Sequence, residues 1–386
     1  MTTKYRILTG VAAVLILVVT GLTLLLSHDS PCGTASPVAA DAPAMRAAVY
    51  RCYGTPEVVK IERIEKPRLA DDRVLVRVVA ASINPLDWHY VTGKPYFMRA
   101  LAGFGSPDDI RLGVDFAGTV EAVGARVKRF KPGDAVFGGA DGAFAEYITV
   151  REHGSVAIKP ANLTFEQAAT VPVAGVTALQ ALRDKGNVRP GQRVLINGAS
   201  GGVGTFAVQI AKALGAHVTG VCSTRNIAMV HAIGADEVID YTRQDFTTLA
   251  GRYDLIIDNV GNHSPGEYRR VLTPHGALVA VGGMNCGACV GPLLSWLGES
   301  LISPLVSQKR ISILAELNGD DLAALGSWMQ QGAITPVVDR TYPLSQVQAA
   351  ITYLEGGHAR GKVVISVQPN GAAAAAQLAR SHADAQ

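Results

Sequence analysis

The segment Gly191–Lys212 constrains the fold of this chain more than any other stretch of its sequence. It begins with Arg193–Asn197, a short apolar run that is typical of a parallel strand buried on both faces. A turn rich in glycine follows, and helical periodicity then continues to the end of the segment. The glycines stand at a spacing of three, with one more between them: Gly198, Gly201, Gly204 and Gly202. The segment therefore predicts a strand, a tight turn and a helix in immediate succession.

A turn of this kind predicts a dinucleotide-binding site. Glycine permits the tight bend, lets the backbone approach a pyrophosphate, and allows the helix to pack closely on the strand. The helix N-terminus adds unpaired N–H groups and a partial positive charge, which suit an anion. An ordinary glycine loop is the alternative, but a second strand predicted at His217–Cys222 favours the nucleotide site. We expect the pyrophosphate to contact the turn: Ala199, Ser200, Gly201, Gly202, Val203 and Gly204.

The residues after the second predicted strand indicate NADPH rather than NADH. A site that prefers NAD places Asp or Glu there, where the carboxylate accepts a hydrogen bond from the ribose 2′-OH. This chain has Ser223, Thr224 and Arg225 instead. Two hydroxyls and a guanidinium suit a 2′-phosphate, and no carboxylate in that run repels it. The alternative is that Arg225 only faces solvent.

Length, charge and cysteine usage limit the class of protein. The 386 residues are enough for two or three domains, each with a sizeable core. The formal net charge is +3 and the charges are interspersed, so no basic run indicates nucleic acid. The five cysteines are scattered, which argues against a disulfide scaffold. Cys286 and Cys289 form a lone CxxC pair, for which we expect inert thiols rather than a metal site.

The N-terminus carries an apolar segment that is unusual for a chain with a nucleotide site. Ile7–Leu26 is a run of 20 residues without a charge, which matches the length needed to cross a bilayer. Lys4 and Arg6 precede the run and Asp29 follows it, so the positive-inside rule predicts the N-terminus inside and the enzyme outside. We therefore expect a single-pass membrane anchor at the N-terminus.

The predicted topology disagrees with the predicted cofactor, since NADPH is a cytoplasmic reductant. An exception to the orientation rule, a misplaced start codon and a misleading cofactor interpretation stay open as explanations. A cleaved signal peptide is the alternative to the anchor itself. The side of the membrane that holds the enzyme is therefore not assigned. In this interpretation the anchor comprises residues 1–28, and a Ser/Pro/Ala-rich linker comprises residues 29–44.

Two patterns divide the rest of the chain into domains. Residues 45–167 show short strands separated by turns, which is typical of a barrel-like β domain. The predicted strands are residues 45–50, 58–62, 73–80, 118–123 and 143–150. Residues 311–367 end in a strand that would complete this domain. Residues 168–310 alternate strands with helices, which predicts a doubly wound parallel sheet. A cleft between two such domains is a usual place for a small-molecule site. We expect the Ala-rich tail, residues 368–386, to be disordered.

Taken together, residues 45–367 resemble the medium-chain dehydrogenase/reductase superfamily, in its zinc-free quinone oxidoreductase (zeta-crystallin-like) branch. The family's glycine signature is met in full from Gly191 to Lys212. Further blocks are similar to family blocks: Ala81–Asp87, Ala143–Tyr147, and Thr170–Pro172 with Thr177–Ala178. The resemblance implies an α/β protein with a GroES-like β-barrel catalytic domain and a Rossmann domain, here with an N-terminal transmembrane helix. It also implies NADPH as hydride donor and the reduction of quinones or α,β-unsaturated carbonyls.

The chain departs from zinc-dependent relatives at the positions of their metal ligands. Those relatives carry Cys where Asn84 and Pro85 stand, and Gly-His-Glu where Gly113, Val114 and Asp115 stand. They also carry a four-cysteine structural loop that this sequence lacks. Without His or Cys at those points we expect no Lewis-acid metal site.

The resemblance implies three candidate catalytic residues. Asn84 and Asp87 would line the nicotinamide pocket, and Tyr96 resembles the tyrosine that enoyl-thioester reductase relatives use as a proton donor. Tyr90 is close by in the sequence and could substitute for Tyr96. The alternatives are that Tyr96 only packs, that Asp87 only caps a turn or helix, and that solvent delivers the proton.

Three more residues are implied for the cofactor. Tyr241 resembles the family tyrosine that approaches the 2′-phosphate, and Lys362 would reach the cofactor phosphates from the returning segment. A packing tyrosine and a solvated lysine are the alternatives. Val260 belongs to Asp258–Gly261, which ends a strand at the carboxyl edge of the predicted sheet, where ligands bind.

The leading hypothesis is a membrane-anchored, NADPH-dependent reductase of small quinones or enones that uses no zinc. An enoyl-thioester reductase and a catalytically inactive NADPH-binding scaffold are the alternatives. The sequence leaves a homodimer open.

Overall fold

Two β-sheets carry the fold of the computed structural model, which describes residues 18–35, 37–282 and 307–368. The strands in chain order are β1 (Ala44–Val49), β2 (Lys60–Glu65), β3 (Arg73–Ile83), β4 (Asp115–Val123), β5 (Ala135–Gly139), β6 (Tyr147–Arg151), β7 (Val156–Ile158), β8 (Arg193–Asn197), β9 (His217–Cys222), β10 (Glu237–Asp240), β11 (Tyr253–Asp258), β12 (Leu272–Ala280), β13 (Lys309–Ser312), β14 (Val338–Pro343) and β15 (Lys362–Ser366). The α-helices that lie wholly within the described residues are α1 (Pro85–Thr92), α2 (Arg99–Ala102), α3 (Phe165–Ala169), α4 (Pro172–Gln180), α5 (Gly202–Ala213), α6 (Ile227–Ala232), α7 (Pro265–Val271), α8 (Gly319–Gln330) and α9 (Val347–Glu355).

The first sheet is built around the long strand β3. Its order is β14-β15-β3-β4-β5-β7, and β6 also pairs with β3. Because β3 has eleven residues, two strands share one of its edges: β6 pairs with its first half, and β15 pairs antiparallel with its second half. The last described strand of the chain therefore returns to the first domain, as the sequence predicts. β1 and β2 form a separate antiparallel pair.

The second sheet is fully parallel in its described strands. Its order is β10-β9-β8-β11-β12-β13, so the direction of winding reverses between β8 and β11. This is the strand order of a Rossmann domain, in which ligands bind outside the carboxyl ends of the strands at the reversal. The bounds of β8 and β9 agree with the two strands predicted from the sequence. The α/β class of the fold is confirmed.

One apolar cluster joins the two sheets. It contains Ala80 and Phe137 from the first sheet, Ile196 from β8 and Phe206 from α5, all of them buried. Helices α3 and α4 supply much of the packing between them. Both sheets bury side chains in the same core, and a bridge between Gly201 and Gly361 places the carboxyl edge of the second sheet beside the start of β15.

Several strands of the first domain differ from their predicted bounds. The predicted strand at residues 58–62 is displaced to β2, and the one at 118–123 begins earlier, at Asp115. The strands β5 and β7 were not predicted at all. β5 ends in two glycines and β7 has only three residues, so neither presents the alternation by which strands are recognised.

The end of the predicted anchor and the start of the predicted linker are packed on the first domain. Residues 18–27 are helical, and the guanidinium of Arg99, only 2% exposed, donates to the carbonyls of Leu26 and His28 at 3.0 Å each. The same group pairs with the carboxylate of Asp29 at 2.9 Å. The Ser30 N–H donates to the Gly105 carbonyl at 2.8 Å. The sequence pattern does not predict this contact, because Arg99, the buried residue that holds the stretch, lies about seventy residues away in the chain.

A disulfide holds the same stretch. Cys32 is bonded to Cys52, although the scattered cysteines argued against a disulfide scaffold. The spacing of cysteines does not give their pairing, so the sequence could not identify this bond. Cys222, the free cysteine among the described residues, is buried.

No helix within the described ranges is long and apolar enough to cross a membrane. Most of the predicted anchor, residues 1–17, lies outside those ranges. The CxxC pair at Cys286 and Cys289 and the predicted tail from residue 369 onward also lie outside them. The expected transmembrane helix is therefore not found within the described residues.

Candidate active site

The two domains meet where the glycine turn touches the start of β15. Gly201 and Gly361 form a parallel bridge, and the Gly361 N–H donates to the Ser200 carbonyl at 2.9 Å. This contact lies at the reversal point of the Rossmann sheet, beside the carboxyl ends of β8 and β11. At those ends Asn197 donates to Asp258 at 3.0 Å, which joins the two strands.

The glycine turn has the shape that a bound anion requires. Gly198 has a φ of +77°, and a Cβ on Gly204 would lie 2.0 Å from the Gly198 carbonyl oxygen, so only glycine allows this packing. Helix α5 begins immediately afterwards, and its N-cap is Gly201, which has no side chain to cap the first-turn amides. Three N–H groups of this twelve-residue helix are therefore available to an anion.

The predicted turn residues differ in what they can offer. The Ala199 N–H donates to the Val221 carbonyl and the Gly201 N–H to the Gly198 carbonyl, so these two amides are already used. Ala199 is also fully buried. The free amides at the helix N-terminus belong to Gly202, Val203 and Gly204, because a helix leaves its first amides without intrahelical partners.

The residues predicted for the 2′-phosphate form the turn after β9. Thr224 and Arg225 are exposed, and the Arg225 guanidinium donates to the His358 carbonyl at 2.6 Å. Asn226 donates to the hydroxyls of Ser200 and Ser223 at 3.0 and 3.2 Å, which links this turn to the glycine turn. Arg225 is thus directed along the protein surface rather than only into solvent.

A carboxylate that the sequence reasoning did not consider lies beside this turn. Asp240 ends β10 and pairs in register with Cys222 at the end of β9. Its Oδ2 accepts a hydrogen bond from the Thr224 hydroxyl at 2.5 Å, and this bond holds the pKa of the Asp240 carboxyl below its usual value. The strand pairing, rather than the local sequence, brings an acid next to the predicted phosphate site.

Tyr241 and Val260 flank the same edge of the sheet. Tyr241 is 56% exposed, so it is not the packing residue that was the alternative. Val260 is 36% exposed and lies against the glycine turn, since a Cβ on Gly198 would be 2.9 Å from its Cγ2. Both side chains are therefore exposed at this edge of the sheet.

A buried polar network lies on the other side of the domain contact. The ammonium of Lys362, at the start of β15, donates to the Ile83 carbonyl at 3.0 Å and to Asn84 Oδ1 at 2.5 Å. It also lies 3.3 Å from Asp115 Oδ2. Lys362, Asn84 and Asp115 are 3%, 2% and 0% exposed, so their charges and dipoles are compensated by one another and not by water.

Asp115 is the centre of this network, and the sequence reasoning did not name it as a functional residue. Its Oδ2 also accepts from the Ser82 hydroxyl at 2.8 Å and from Asn84 Nδ2 at 2.9 Å. Its Oδ1 accepts from the Val173 backbone N–H at 2.9 Å. The available signal was its place in Gly113–Asp115, where zinc-dependent relatives carry a metal ligand.

The position of Lys362 differs from the one expected. Its stem lies against the glycine turn, since a Cβ on Gly202 would be 3.0 Å from Lys362 Cδ. Its ammonium, however, is directed into the buried network and is satisfied by three protein oxygens. The expectation that Lys362 reaches the cofactor phosphates is therefore corrected: it lies between the turn and Asn84.

Asp87 caps helix α1 through one of its two carboxyl oxygens. Its Oδ2 accepts from the Asn84 backbone N–H at 2.7 Å, in a capping box with the Asn84 side chain. Its Oδ1 is buried and makes no hydrogen bond of standard geometry within the described residues. Burial raises the pKa of the carboxyl to about 7, although the backbone N–H groups of Asn84 and Gly113, which favour the ionised form, oppose this. The helix-cap alternative is thus realised, together with an unmatched carboxyl oxygen.

The two candidate tyrosines are placed differently. Tyr96 is half-buried in a short turn, with its ring 5.0 Å from the Arg99 guanidinium. No hydrogen bond among the described residues joins Tyr96 to Asn84 or Asp87. Tyr90 lies on α1 itself, and burial, reinforced by the charges of Asp141 and Asp87, raises the pKa of its phenol. The structure therefore brings Tyr90, rather than Tyr96, into the field of Asp87.

Metal ligands do not gather at this site. Within the described ranges, no three side chains of His, Cys, Asp or Glu form a group that could hold a metal ion. Asn84 and Asp115, which stand where zinc-dependent relatives carry metal ligands, are hydrogen-bonded to each other instead.

Comparisons with known proteins agree with this geometry. Residues 70–160 match the model of the alcohol dehydrogenase GroES-like domain, and residues 233–365 match that of a zinc-binding dehydrogenase domain. The chain is 34% identical over 340 residues to an NADPH-dependent alkenal/one oxidoreductase of Arabidopsis thaliana, covering 83% of this chain and 79% of that protein. It is 35% identical over 323 residues to a trans-enoyl reductase of Aspergillus terreus, covering 78% and 87%. The structure of a quinone oxidoreductase from Coxiella burnetii is similar with a TM-score of 0.72 and 30% identity, covering 84% of this chain and 100% of that one.

We expect Asp87→Asn to reduce the dependence of stability on pH. The folded-state pKa of about 7 lies above the ordinary 3.8, so the folded state holds this proton more tightly than the unfolded state does. The resulting stabilisation is complete below about pH 4 and is lost as the pH rises through about 7. Asparagine keeps an oxygen for the Asn84 amide but does not titrate, so the variant should not show this loss.

Urea unfolding at about pH 5 and about pH 8 measures the effect. The free energy of unfolding of the wild type should fall relative to that of Asp87→Asn between the two values. The exposed Asp71 provides the control, since Asp71→Asn should leave the wild-type slope unchanged. Equal slopes for wild type and Asp87→Asn would contradict the shifted pKa.

Proposed function

Because the chain belongs to the medium-chain dehydrogenase/reductase superfamily, in its zinc-free quinone oxidoreductase branch, we propose that it is an NADPH-dependent reductase of quinones or α,β-unsaturated carbonyls. The observation that carries the proposal is the contact between an uncapped helix N-terminus and a buried polar network with unmatched groups. The first suits a dinucleotide phosphate, and the second suits a substrate with a polar carbonyl.

The cofactor would be held by residues of the Rossmann domain. The amides of Gly202, Val203 and Gly204 fit the pyrophosphate, since no side chain caps them. Ser223, Thr224 and Arg225 fit the 2′-phosphate, and Tyr241 would lie beside them. Val260, against the glycine turn, would border the nicotinamide side. When bound, NADPH supplies the hydride for the reaction.

The polar groups at the start of α1 would serve the substrate. Delivery of a hydride to an enone or quinone places negative charge on the carbonyl oxygen, which needs a donor in a site without a metal. Asn84 Nδ2 is such a donor. Asp87, with a pKa of about 7, is protonated below that pH and can donate a hydrogen bond or a proton from its unmatched oxygen. Tyr96 stays a predicted proton donor, with Tyr90 the better placed of the two.

An enoyl-thioester reductase is the second candidate. The similarity to the Aspergillus terreus trans-enoyl reductase favours it, because that relative covers most of the chain. The chemistry is the same conjugate reduction, so the two candidates differ in the group attached to the carbonyl carbon.

We expect the full-length protein to oxidise NADPH when a quinone or an enone is added, and to do so more slowly with an enoyl thioester. The reason is that Asn84 and Asp87 would bind the carbonyl oxygen that all three substrates share, whereas no described residue has been assigned to the thioester group. Loss of absorbance at 340 nm, measured with each substrate in parallel, gives the ranking. Asn84→Ala is the control for turnover at this site. NADPH binding without turnover of any of the three would contradict the proposal and favour the inactive scaffold.

Arg225→Asp should weaken NADPH much more than NADH. Loss of a guanidinium and gain of a carboxylate beside Asp240 both disfavour a 2′-phosphate, so we expect the Kd of NADPH to rise roughly 100-fold. NADH lacks that phosphate and should change by less than about threefold. Quenching of intrinsic fluorescence measures both constants, and Arg225→Gln should give an intermediate loss. An equal loss for both cofactors would refute the 2′-phosphate role of Arg225.

Attachment to a membrane stays a prediction, and two observations support it. Within the described helical residues 18–27, Leu22, Leu24 and Leu25 are more than half exposed. The disulfide between Cys32 and Cys52 is typical of proteins on the oxidising side of a membrane. That side agrees with the orientation predicted from Lys4 and Arg6.

We expect the full-length protein to stay in the membrane pellet after a carbonate wash. The double substitution Val14→Arg and Leu17→Arg should release it, because each buried charge costs about 3 kcal/mol at the centre of a bilayer. Release of the unaltered protein by the wash would argue against an anchor. Arg99 and Cys52 are unchanged in this variant, so the docked stretch remains as an internal control.

A further inference from the structure

The carboxamide of Asn84 is held at both ends by charged groups. Its Oδ1 lies 2.5 Å from Lys362 Nζ, and its Nδ2 lies 2.9 Å from Asp115 Oδ2. An ammonium has no lone pair with which to accept, and an ionised carboxylate has no proton to donate. The oxygen of Asn84 must therefore face Lys362 and the nitrogen must face Asp115. The chemistry of its partners leaves the amide only one orientation.

One N–H of Asn84 is left without a partner in this arrangement. The amide nitrogen carries two hydrogens, and Asp115 Oδ2 accepts one of them. No second acceptor is found among the described residues. Asn84 is only 2% exposed, so solvent compensates the free N–H poorly. Three residues further on, Asp87 Oδ1 is also buried and unmatched. Buried polar atoms of this kind are costly unless a ligand satisfies them.

Lys362 also connects this amide to the cofactor turn. Its stem lies against Gly202, at the first turn of α5, and Gly361 next to it bridges to Gly201. All three hydrogens of the ammonium are taken by protein oxygens, on Ile83, Asn84 and Asp115. Lys362 therefore has no hydrogen left for a substrate, and its effect on the reaction must pass through Asn84.

We propose that Lys362 and Asp115 are positioning residues that orient Asn84, so that its free N–H is donated to the carbonyl oxygen of the bound enone or quinone. The inference rests on the proposed function. In the step it serves, a C–H bond forms at the β-carbon of the enone as a C–H bond of the reduced nicotinamide breaks, and the electron pair of the C=C bond moves towards the carbonyl. The enone is reduced, NADPH is oxidised to NADP+, and the carbonyl oxygen takes up the negative charge until a proton from solvent reaches the α-carbon and completes the product. The Asn84 N–H stabilises the oxygen while it is charged.

A mutant cycle on kcat tests this assignment. Asn84→Ala should lower kcat by about 100- to 1,000-fold, as the loss of a single oxyanion donor does. Lys362→Met keeps the apolar stem against Gly202 and removes only the ammonium, so kcat should fall roughly 10- to 100-fold. The KM for NADPH should change by less than about threefold. The double variant should be no slower than Asn84→Ala within about threefold, because Lys362 acts only through that amide.

Two results would overturn the proposal. Losses that multiply in the double variant would show that Lys362 acts independently of Asn84. A large rise in the KM for NADPH at an unchanged kcat would place Lys362 at the cofactor phosphates instead. The matched control is Lys131→Met, the same change at an exposed lysine, which should leave both constants at the wild-type values.

A second variant keeps the test valid if Lys362→Met does not fold with Asp115 left unpaired. Lys362→Met combined with Asp115→Asn removes both charges and keeps an oxygen for the Val173 N–H. Its near-ultraviolet circular dichroism spectrum should match that of the wild type. Its kcat should fall by the same roughly 10- to 100-fold that is expected for Lys362→Met. Failure of both variants to fold would show a purely structural pair and refute the proposal. Absence of turnover in the wild type would overturn the proposed function, and this inference with it, whereas turnover with multiplying losses overturns only the inference.

Discussion

The site depends on one buried ion pair, between Lys362 and Asp115. Each ion costs several kcal/mol to remove from water, and the pair is tolerated only when every remaining hydrogen-bonding group finds a partner. Here the partners are supplied by Ser82, Asn84 and the backbone of Val173. Loss of one charge would leave the other buried and unpaired, at a cost of about 3–5 kcal/mol. The ion pair is therefore stable only while these hydrogen-bond partners surround it.

That requirement joins segments that are far apart in the chain. Asp115 begins β4, Asn84 precedes α1, and Lys362 begins β15, the strand that returns to the first sheet. The backbone next to Lys362 bridges to the glycine turn, so the pair also fixes the turn relative to Asn84. The cofactor side and the substrate side of the proposed site are thus held in register by a few hydrogen bonds.

The sequence was sufficient for the features that are local. The strand, turn and helix around Gly198 follow from apolar periodicity and from the few residues that tolerate a positive φ. Asn84, Asp87 and Lys362 were named because their surroundings resemble family blocks. What was missed depends on pairing across strands: Asp240 reaches Thr224 only because β10 lies beside β9. Asp115 acts through four partners from different elements, which no local pattern reveals.

The N-terminal stretch shows the same limit of local patterns. A Ser/Pro/Ala-rich composition predicts a linker, and nothing near Arg99 marks it as the residue that holds Leu26 and His28. Docking of residues 26–32 and the disulfide to Cys52 place this stretch beside the turn that carries Tyr96. The N-terminal stretch is thus part of the packed structure of the first domain.

The central claim is that the proposed site, where the glycine turn meets Lys362 and Asn84, reduces a conjugated carbonyl by hydride transfer without a metal. It is tested most directly with NADPH that carries deuterium at both C4 positions of the nicotinamide and with an enone, using full-length protein dialysed against a strong chelator. The account predicts one deuterium at the β-carbon of the product and no loss of rate after chelation. A product without deuterium, or activity that returns only when zinc is added back, would contradict it.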